Sequence, residues 1–564
     1  MTKRFYILSI LVLLLVAGAW WAIKRYTGSP DLQNELKDRL VNLVTEKSDG
    51  LYQLSIGDVN IDIDKNSVML REIELTTDSI VLGRRRKEGN NPPTIYDLRL
   101  DNIIIRNVDV MAFLQENKAS LGAITVSGGE LFIRKLDEVE GKPIEMKENK
   151  KEVVREVKKA LESIHIDSIH LNDLNITYAN RKNQQKKVKQ VHIALASVDI
   201  GSNTAFDSSR IFFAKSLVLS VDTISVPLEE SKYKLGANKL VLTIDDSSIS
   251  TIRGIYLKSN TGASAEAVAR KSCLQKDVYD LEAREVIISN FDYNAFMEDS
   301  IIRGDLMVVR NPVLEVYNDR SQKPLTESKV GKYPHQMLAR VPYTMEVSRI
   351  IIEDGRVRYR ERNADGNATG QIRFSKINGR MGPLKKNSSV LSPIEAGFEA
   401  LFMDKINTDV RFNFSDHRNG SFTVIAVMGA FDVRLLNEAI LPLGNVKLKE
   451  GKISSLSFRL NGNDRQATGT TTMAYEDLKV EVMKKDKSDG YQKSGVVSIL
   501  ANTFLVRTNN TNDDRHPNTY RVTYRRDPTK AFFNLIWKTV FYGVKGITGI
   551  GEKGLDKDRA TIHE

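Results

Sequence analysis

The sequence is poor in the residues that build disulfide frameworks and proline-rich chains. Its 564 residues include one cysteine, Cys273, and 14 prolines. A single thiol excludes a disulfide framework and any metal site with several thiolate ligands. Fourteen prolines and 35 glycines also exclude collagen-like and proline-rich classes. With 41% hydrophobic and 27% charged residues, the chain can bury a large core.

Familiar catalytic motifs are missing as well. The seven histidines are scattered, and no HExxH, GxSxG or EF-hand pattern is present. Gly549, Gly551 and Gly554 match a dinucleotide-binding pattern by letters, but too little chain follows for the acidic ribose ligand. His165 and His170 alternate with apolar residues, so we expect their side chains to face solvent. We therefore predict that the protein is not an enzyme and uses neither a cofactor nor a metal.

Positive charge is in excess, with 83 Lys and Arg against 72 Asp and Glu. The basic clusters at 84–87, 147–151, 182–189 and 484–487 lie in polar connections and have no interleaved aromatic residues. That pattern argues against nucleic-acid binding. These clusters have two remaining interpretations. They are either solvated loops or sites that attract anionic lipid head groups.

One long apolar run is present. Phe5 to Ile23 contains 19 residues without a charge and would span about 28 Å as a helix. We interpret residues 1–27 as an uncleaved membrane anchor. The alternatives are a cleaved signal peptide, because Ala17, Gly18 and Ala19 form a small-x-small site, and a buried helix. The predicted anchor residues are Phe5, Leu11, Leu14, Trp20, Trp21 and Ile23.

Helical periodicity is rare in the rest of the chain. Residues 28–50 include an amphipathic pattern at 31–46, a second pattern covers 150–164, and a third covers 531–550. The last helix carries candidate membrane-interface residues, and we expect the tail at 551–564 to be flexible. The candidate membrane-interface residues are Phe532, Phe533, Ile536, Trp537 and Phe541.

Most of the chain alternates apolar and polar residues, with a recurrent slip of one position. The pattern starts at residues 54, 98, 124, 169, 286 and 350. Alternation predicts strands with one apolar face, and the slip predicts either a tight turn or a bulge. Uneven spacing excludes a short-period solenoid, so we expect an antiparallel meander. The candidate lipid-facing residues are Ile56, Val59, Ile61, Ile124, Val126, Ile169, Leu171, Ile176, Ile288, Phe291, Ile350, Ile352, Val357 and Phe458.

The order of these features resembles the AsmA-like family of diderm bacteria. The resemblance rests on the anchor, the short helix, the strands at 51–63 and 68–75, and the slip units at 164–178 and 350–362. Residues 374–379 and 444–478 are also similar to segments of that family. The shared motifs are patterns of hydrophobicity, and the resemblance runs over most of residues 1–530.

The resemblance implies an elongated, curved antiparallel β-groove of many short strands over residues 51–530. It also implies a single-pass inner-membrane protein with most of the chain in the periplasm. The implied partners are a phospholipid or other acyl lipid, the inner membrane and an outer-membrane or envelope protein, without nucleic acid. The implied role is passive lipid handling in outer-membrane homeostasis or envelope assembly. The alternative is a non-catalytic scaffold whose β core is closed by its own side chains.

Overall fold

The computed structural model describes most of the chain between residues 32 and 563. The described residues are 32–62, 64–109, 118–136, 153–155, 157–158, 161–181, 185–204, 207, 210–211, 213–228, 233–245, 248–299, 301–341, 343–387, 390–486, 490–493, 506–510, 518–549 and 560–563. The chain is mainly β, as the alternation predicts. It divides into an N-terminal unit, which holds residues up to 224 with 237–252 and 289–299, and a C-terminal unit, which holds the remainder.

The N-terminal unit is a layer of long strands with few helices. Its elements are α1 (Leu32–Lys47), β1 (Tyr52–Asp62), β2 (Ser67–Thr77), α2 (Ser79–Lys87), β3 (Thr94–Val108), β4 (Lys118–Lys135), β5 (Ser163–Ala179), β6 (Gln185–Ile200), β7 (Ala214–Pro227), β9 (Lys239–Ile244) and α4 (Tyr293–Asp299). Strands β1 to β7 pair in chain order, and β9 pairs with β7. Strands β8 (Tyr233–Ala237) and β10 (Ser250–Ser259) have residues in both units.

The described part of the C-terminal unit contains more strands than the N-terminal unit, together with four α-helices. Its first elements are α3 (Ala265–Ser272), β11 (Val278–Ser289), β12 (Ile301–Arg310), β13 (Val313–Asp319), α5 (Pro334–Ala339), β14 (Thr344–Arg362), β15 (Thr369–Gly382), β16 (Leu384–Asn387), β17 (Val390–Leu391) and β18 (Ile394–Phe402). Its later elements are β19 (Ile406–Asp416), β20 (Ser421–Met428), β21 (Phe431–Asp432), α6 (Asn437–Gly444), β22 (Val446–Gly462), β23 (Gln466–Asp486), β24 (Gly490–Lys493), β25 (Thr519–Arg525), α7 (Phe532–Thr548) and β26 (Ala560–His563).

The sheet is rich in antiparallel pairs, but the expectation of a purely antiparallel meander is wrong. Strand β5 runs parallel to β4, and β14 runs parallel to both β12 and β13. A parallel pair needs a crossover connection of a dozen or more residues. The segments between β4 and β5 and between β13 and β14 are long enough to provide one. Periodicity alone cannot show strand direction, because parallel and antiparallel half-buried strands alternate in the same way.

The slip is a bulge-like irregularity within continuous strands of the N-terminal unit. Neighbouring strands slip at the same level, so their pairing continues in register on both sides. Gly128 lies at this level with a φ of +70°, and a Cβ there would stand 2.0 Å from Asp101 Oδ2. Asp173 on the next strand also has a positive φ, of 58°. The tight-turn alternative is therefore excluded at these strands, and a side chain at position 128 would be strained.

Two local expectations are wrong. Phe291 follows the end of β11, and Tyr293 begins α4, so the slip unit that starts at residue 286 is not a strand pair. Residues 153–155 are helical, but Ile164 belongs to β5 and pairs with Ala119 and Ile200. Val154 at the start of that segment and Ile164 at its end are buried in the same core. The apolar residues of the helix and of β5 therefore read as one continuous helical pattern in the sequence.

The predicted helices at the two ends of the described chain are present as α1 and α7. The predicted anchor residues and residues 551–559 of the predicted tail lie outside the described residues. Within the described part of the chain, no helix is both long and apolar enough to cross a membrane.

Candidate functional site

The N-terminal unit has one continuous apolar face, built from rows of directly paired side chains. Each row crosses the strands at one level, because paired residues point to the same side of a sheet. Row 1 is Leu54, Leu75, Leu98, Leu131, Ile176 and Val188; row 2 is Ile56, Ile73, Leu100, Gly129, Leu174, Val191, Val221 and Leu240; row 3 is Val59, Leu70, Ile103, Val126, Leu171, Ile193, Leu219 and Leu242; row 4 is Ile61, Val68, Ile105, Ile124, Ile169, Leu195, Leu217 and Ile244.

The beginning of this face is covered. Helix α1 packs Leu36, Leu40 and Val44 into the same core as β1 to β3, and these three side chains are buried. At the edge of the face, the segment around Val154 and Val157 adds further buried aliphatic groups. These covers explain why the row residues of β1 to β3 are almost all fully buried. Burial of this kind contributes about 1.5–3 kcal/mol for each large aliphatic side chain.

Further along the strands the cover is incomplete. Six aliphatic side chains of β4, β5 and β6 are only partly buried, although they belong to the same rows. One of them, Leu195, also packs against the cluster around Tyr293, which leaves five. We call these five residues the open strip. They are Leu131, Leu171, Ile176, Val188 and Ile193. Beyond the open strip, Tyr293 and Phe291 pack against the β7 and β9 ends of rows 3 and 4. The open strip therefore lies between two covered parts of the face.

The opposite face of the N-terminal unit is polar. Arg99 pairs with Glu74 at 2.6 Å, and Arg71 with Asp58 at 3.7 Å. His165 Nδ1 lies 2.5 Å from Asp199 Oδ1, and its Nε2 lies 3.0 Å from Asp167 Oδ1. The hydrogen bond to Asp199 raises the pKa of His165. His165 lies on the polar face, as the alternation predicts. The sequence did not indicate its two carboxylate partners.

The C-terminal unit also has an apolar face, but it is filled by two other segments of its own chain. One is the connection between β13 and β14, here called the strap (residues 327–341), and the other is α7. Tyr333 of the strap is fully buried, with its ring centre 4.9 Å from that of Phe532 and 6.0 Å from that of Phe422. His335, which is 2% exposed, stacks on Phe414 at 4.8 Å. Aromatic side chains therefore occupy the space over β19 and β20.

Polar contacts hold the strap in place. Asp464 Oδ1 accepts a hydrogen bond from Arg526 at 2.7 Å, and its Oδ2 accepts one from Gln336 at 2.7 Å. The Arg526 guanidinium also lies over the Tyr333 ring at 4.2 Å. Tyr333 Oη donates to the Asn463 carbonyl at 3.1 Å. Because Arg526 and Tyr333 are buried, these contacts replace water completely and fix one geometry.

Burial changes the acid–base behaviour of this cluster. It lowers the pKa of His335 to about 4, because removing an imidazolium from water outweighs the opposing effects of Asp416 and Asp464. Burial also raises the pKa of Tyr333 to about 12, against a smaller opposing effect of Arg526. Both residues are therefore neutral at pH 7, as the packing of aromatic rings requires.

The predicted lipid-facing residues fall into three groups. Eight of them lie in the four rows of the N-terminal unit. Two of these eight, Leu171 and Ile176, belong to the open strip. Ile350 is buried and Ile352 partly buried in a separate cluster around β14. Val357, further along β14, and Phe458 on β22 are partly buried. Ile288 is buried near the end of β11, and Phe291 packs over the far end of rows 3 and 4. The sequence pattern therefore located the face but joined residues from different cores.

The predicted membrane-interface residues of α7 point to different sides of the helix. Phe532 and Ile536 are buried against the strands, which corrects their assignment as interface residues. Phe533 is 61% exposed and Trp537 is 45% exposed, and Phe541 stacks on Trp537 with ring centres 5.7 Å apart. Lys545 lies over the Phe541 ring at 5.2 Å. Only the stripe of Phe533, Trp537 and Phe541 is placed to meet another surface.

Three residues of the open strip were missed in the sequence. Leu131 follows the slip of β4, and Val188 and Ile193 lie in β6, whose strand was not predicted. Alternation of Val191, Ile193 and Leu195 was a usable signal for β6. The strap gave no usable signal, because Tyr333 and Asp464 are distant in the sequence and meet only in the folded chain.

Together, the fold and the candidate site define a mainly β protein with two apolar sheet faces, one partly open and one filled. Comparison with models of known protein families and with curated proteins gave no match to this chain. The assignment of function therefore rests on the geometry of the two faces.

Proposed function

We propose that the chain is an AsmA-like, membrane-anchored protein that binds acyl lipid on the open strip of its N-terminal unit and conducts it passively. In this proposal residues 1–27 anchor the chain in the inner membrane, and the rest lies in the periplasm. The observation that carries the proposal is the set of partly buried aliphatic side chains within otherwise buried rows. The exposed part of such an aliphatic surface gains free energy when an apolar group covers it.

The chemistry of the open strip suits an acyl chain. Its five side chains are aliphatic, and the rows on either side of it continue the same surface toward covered ends. Covering such a surface contributes about 0.8 kcal/mol for each methylene group removed from water. A head group could remain in water, because the strip carries no hydrogen-bonding side chain that would recognise it. Selectivity for acyl chains over head groups follows from this composition.

The test uses the full-length chain in cells fed a photoactivatable fatty acid. After irradiation, lipid adducts are mapped to peptides by mass spectrometry, so that labelling of residues 1–31 is counted separately. We expect adducts on the peptides that contain Leu171 and Ile193. Ile193→Asp should remove them, whereas Ala194→Asp, which places the same charge on the opposite face, should leave them in place.

Two results would refute the lipid proposal. One is a wild-type chain without adducts outside residues 1–31. The other is an equal loss of adducts in Ile193→Asp and Ala194→Asp, which would indicate unfolding or indirect labelling. Circular dichroism of both purified variants distinguishes unfolding from a loss of lipid binding.

A second candidate function is supported by the C-terminal unit. There the strap and α7 fill the apolar face with Tyr333, His335 and Phe532, as a scaffold with a closed core would require. In this alternative the protein holds other envelope components and carries no lipid. Absence of adducts in the wild-type chain, together with unfolding of Ile193→Asp, would favour this second function, because a carboxylate cannot be accommodated in a closed core.

A further inference from the structure

A single row of arginines crosses the outer face of the C-terminal unit, away from the strap and α7. The row follows directly paired residues from β14 to β25, so its side chains share one face. In order, it consists of Ile351, Arg380, Gly397, Arg411, Ile425, Arg459, Thr470 and Arg521. All four arginines are exposed. We call them the arginine row.

The arginines recur on every second strand. Strands β15, β19, β22 and β25 carry them, while β18, β20 and β23 carry Gly397, Ile425 and Thr470 at the same level. With about 4.8 Å between neighbouring strands, the guanidinium groups repeat every ~9.6 Å and span about 29 Å. Such a regular repeat matches a ligand whose own charges repeat along a line.

Neutral polar side chains border the arginine row from β20 to β25. On one side, Thr423 bonds to Asn461 at 2.8 Å, and Thr468 bonds to Thr523 at 2.9 Å. On the other side, Thr472 bonds to Thr519 at 2.9 Å. The paired positions that form these two borders contain no carboxylate on those strands. Apart from Ile425 in the row and the exposed Val427 beside it, Arg459 and Arg521 therefore stand in a surface of hydroxyl and amide groups.

The other half of the row is less positive. Arg411 pairs with Asp409 at 3.4 Å, and Glu399 lies beside it on β18. Among the four arginines, the described residues supply an ion-pair partner to Arg411 alone. Arg459 and Arg521 are therefore the pair whose charge is most available to a ligand.

We propose that the arginine row binds a linear acidic polysaccharide, with guanidinium groups pairing to its carboxylates and the threonine borders bonding to its hydroxyl groups. Duplex nucleic acid carries about one charge per 1.7 Å, which is far denser than this repeat, and the borders lack the aromatic residues on which single-stranded bases stack. A membrane surface would favour cations spread in two dimensions with apolar groups between them. A single row with polar borders fits a polymer better.

The test measures binding of the detergent-solubilised full chain to sodium alginate, a linear polyuronate, at several salt concentrations. We expect Arg459→Gln/Arg521→Gln to weaken binding at least tenfold and to reduce its salt dependence. The control, Arg284→Gln/Arg349→Gln, removes two exposed arginines outside the row and should weaken binding less than twofold. Longer uronate oligomers should bind more tightly until they span the row, because each further arginine adds a contact.

Three outcomes would overturn the proposal. The first is no alginate binding by the wild-type chain, and the second is an equal loss in the two double variants, which would indicate unspecific attraction by net charge. The third is tighter binding to duplex DNA, or to detergent micelles doped with phosphatidylglycerol, than to alginate. Unchanged thermal unfolding of both double variants shows that the comparison concerns folded protein.

Discussion

The two apolar sheet faces differ in what their rows contain. Rows of the N-terminal unit consist almost entirely of Leu, Ile and Val, with Gly129 as the exception. Rows of the C-terminal unit mix aromatic residues with small ones, as in the row Phe414, Phe422, Gly462, Ala467 and Tyr524. Aliphatic rows make a smooth surface, whereas alternating large and small residues make a surface with recesses.

The recesses of the C-terminal unit are occupied by its own helix. A Cβ on Gly543 of α7 would stand 2.5 Å from Thr471 Oγ1, and one on Gly546 would stand 2.6 Å from Tyr520 Cδ1. The helix therefore approaches the strands closely at both glycines. No such close-packed helix lies on the open strip within the described residues. The comparison shows that an apolar sheet face is a filled core where a helix packs closely over it and an open surface where none does.

The largest expected effect separates a covered position from an open position of the apolar face of the N-terminal unit. Ile124, which is 1% exposed, lies in row 4 under the cover, and Ile124→Asp should unfold the N-terminal unit because an unpaired buried carboxylate costs several kcal/mol, roughly 3–5. Ile193→Asp in the open strip should leave the chain folded and lose only lipid. Denaturant unfolding followed by circular dichroism measures both. Equal destabilisation by the two variants would show that the open strip is a closed core.

A second comparison uses two adjacent phenylalanines of α7. Phe532→Ala should destabilise the C-terminal unit by about 3–5 kcal/mol, because it leaves a cavity among Tyr333, Phe414 and Phe422. Phe533→Ala should cost less than about 1 kcal/mol, since its side chain is mostly exposed. Equal effects on the denaturant midpoint would contradict the view that α7 fills this face.

The two units should respond to pH in opposite directions. The pKa of His335 is about 4 in the folded chain and about 6.5 when unfolded, so the C-terminal unit loses up to about 3 kcal/mol as pH falls from 6.5 to 4. The pKa of His165 is raised, so its contribution to the N-terminal unit is fully present below pH 6.5 and is lost as pH rises through the raised value.

Unfolding measured between pH 4 and pH 8 tests both directions. His335→Leu should abolish the loss on the acidic side, and His165→Asn should abolish the loss on the basic side. If His335→Leu leaves the acidic loss unchanged, the strap histidine is not the group that titrates.

The smallest expected effect concerns the aligned slips. Gly128→Ala should destabilise the N-terminal unit by about 1–3 kcal/mol, because position 128 has a positive φ and the added Cβ would meet Asp101. Gly397→Ala is the control, since a Cβ there meets nothing within 4 Å. A shift in thermal midpoint for Gly397→Ala as large as for Gly128→Ala would mean that the slip is not a strained position.

Much of the N-terminal face could be predicted from sequence, and little of the C-terminal filling could. Strict alternation around Ile56, Ile124 and Ile169 is sufficient to place these side chains on one face, since the strand period is two. The slip was visible in the sequence because it shifts that period by one. Whether a face is open depends on segments that pack over it from elsewhere in the chain.

Those packing partners are the part that the sequence did not reveal. Tyr333 reaches Asn463 across 130 residues, and His165 reaches Asp199 on the neighbouring strand. Such contacts depend on which strands pair and in which direction, and the pair of β4 with β5 runs parallel where the expected meander would be antiparallel. Local periodicity has no information about strand order, so both the strap and the histidine partners required the three-dimensional structure.

The central claim is that the apolar face of the N-terminal unit is open at Ile193, whereas the apolar face of the C-terminal unit is closed. Thiol reactivity tests this claim most directly. With the exposed Cys273 changed to serine, single cysteines are placed by Ile193→Cys and Val424→Cys in the full-length chain and reacted with a small maleimide. The account predicts fast labelling at position 193, slowed by added phospholipid, and labelling at position 424 only after unfolding. Equal protection of both positions in the folded chain, or labelling at 193 that lipid does not slow, would contradict it.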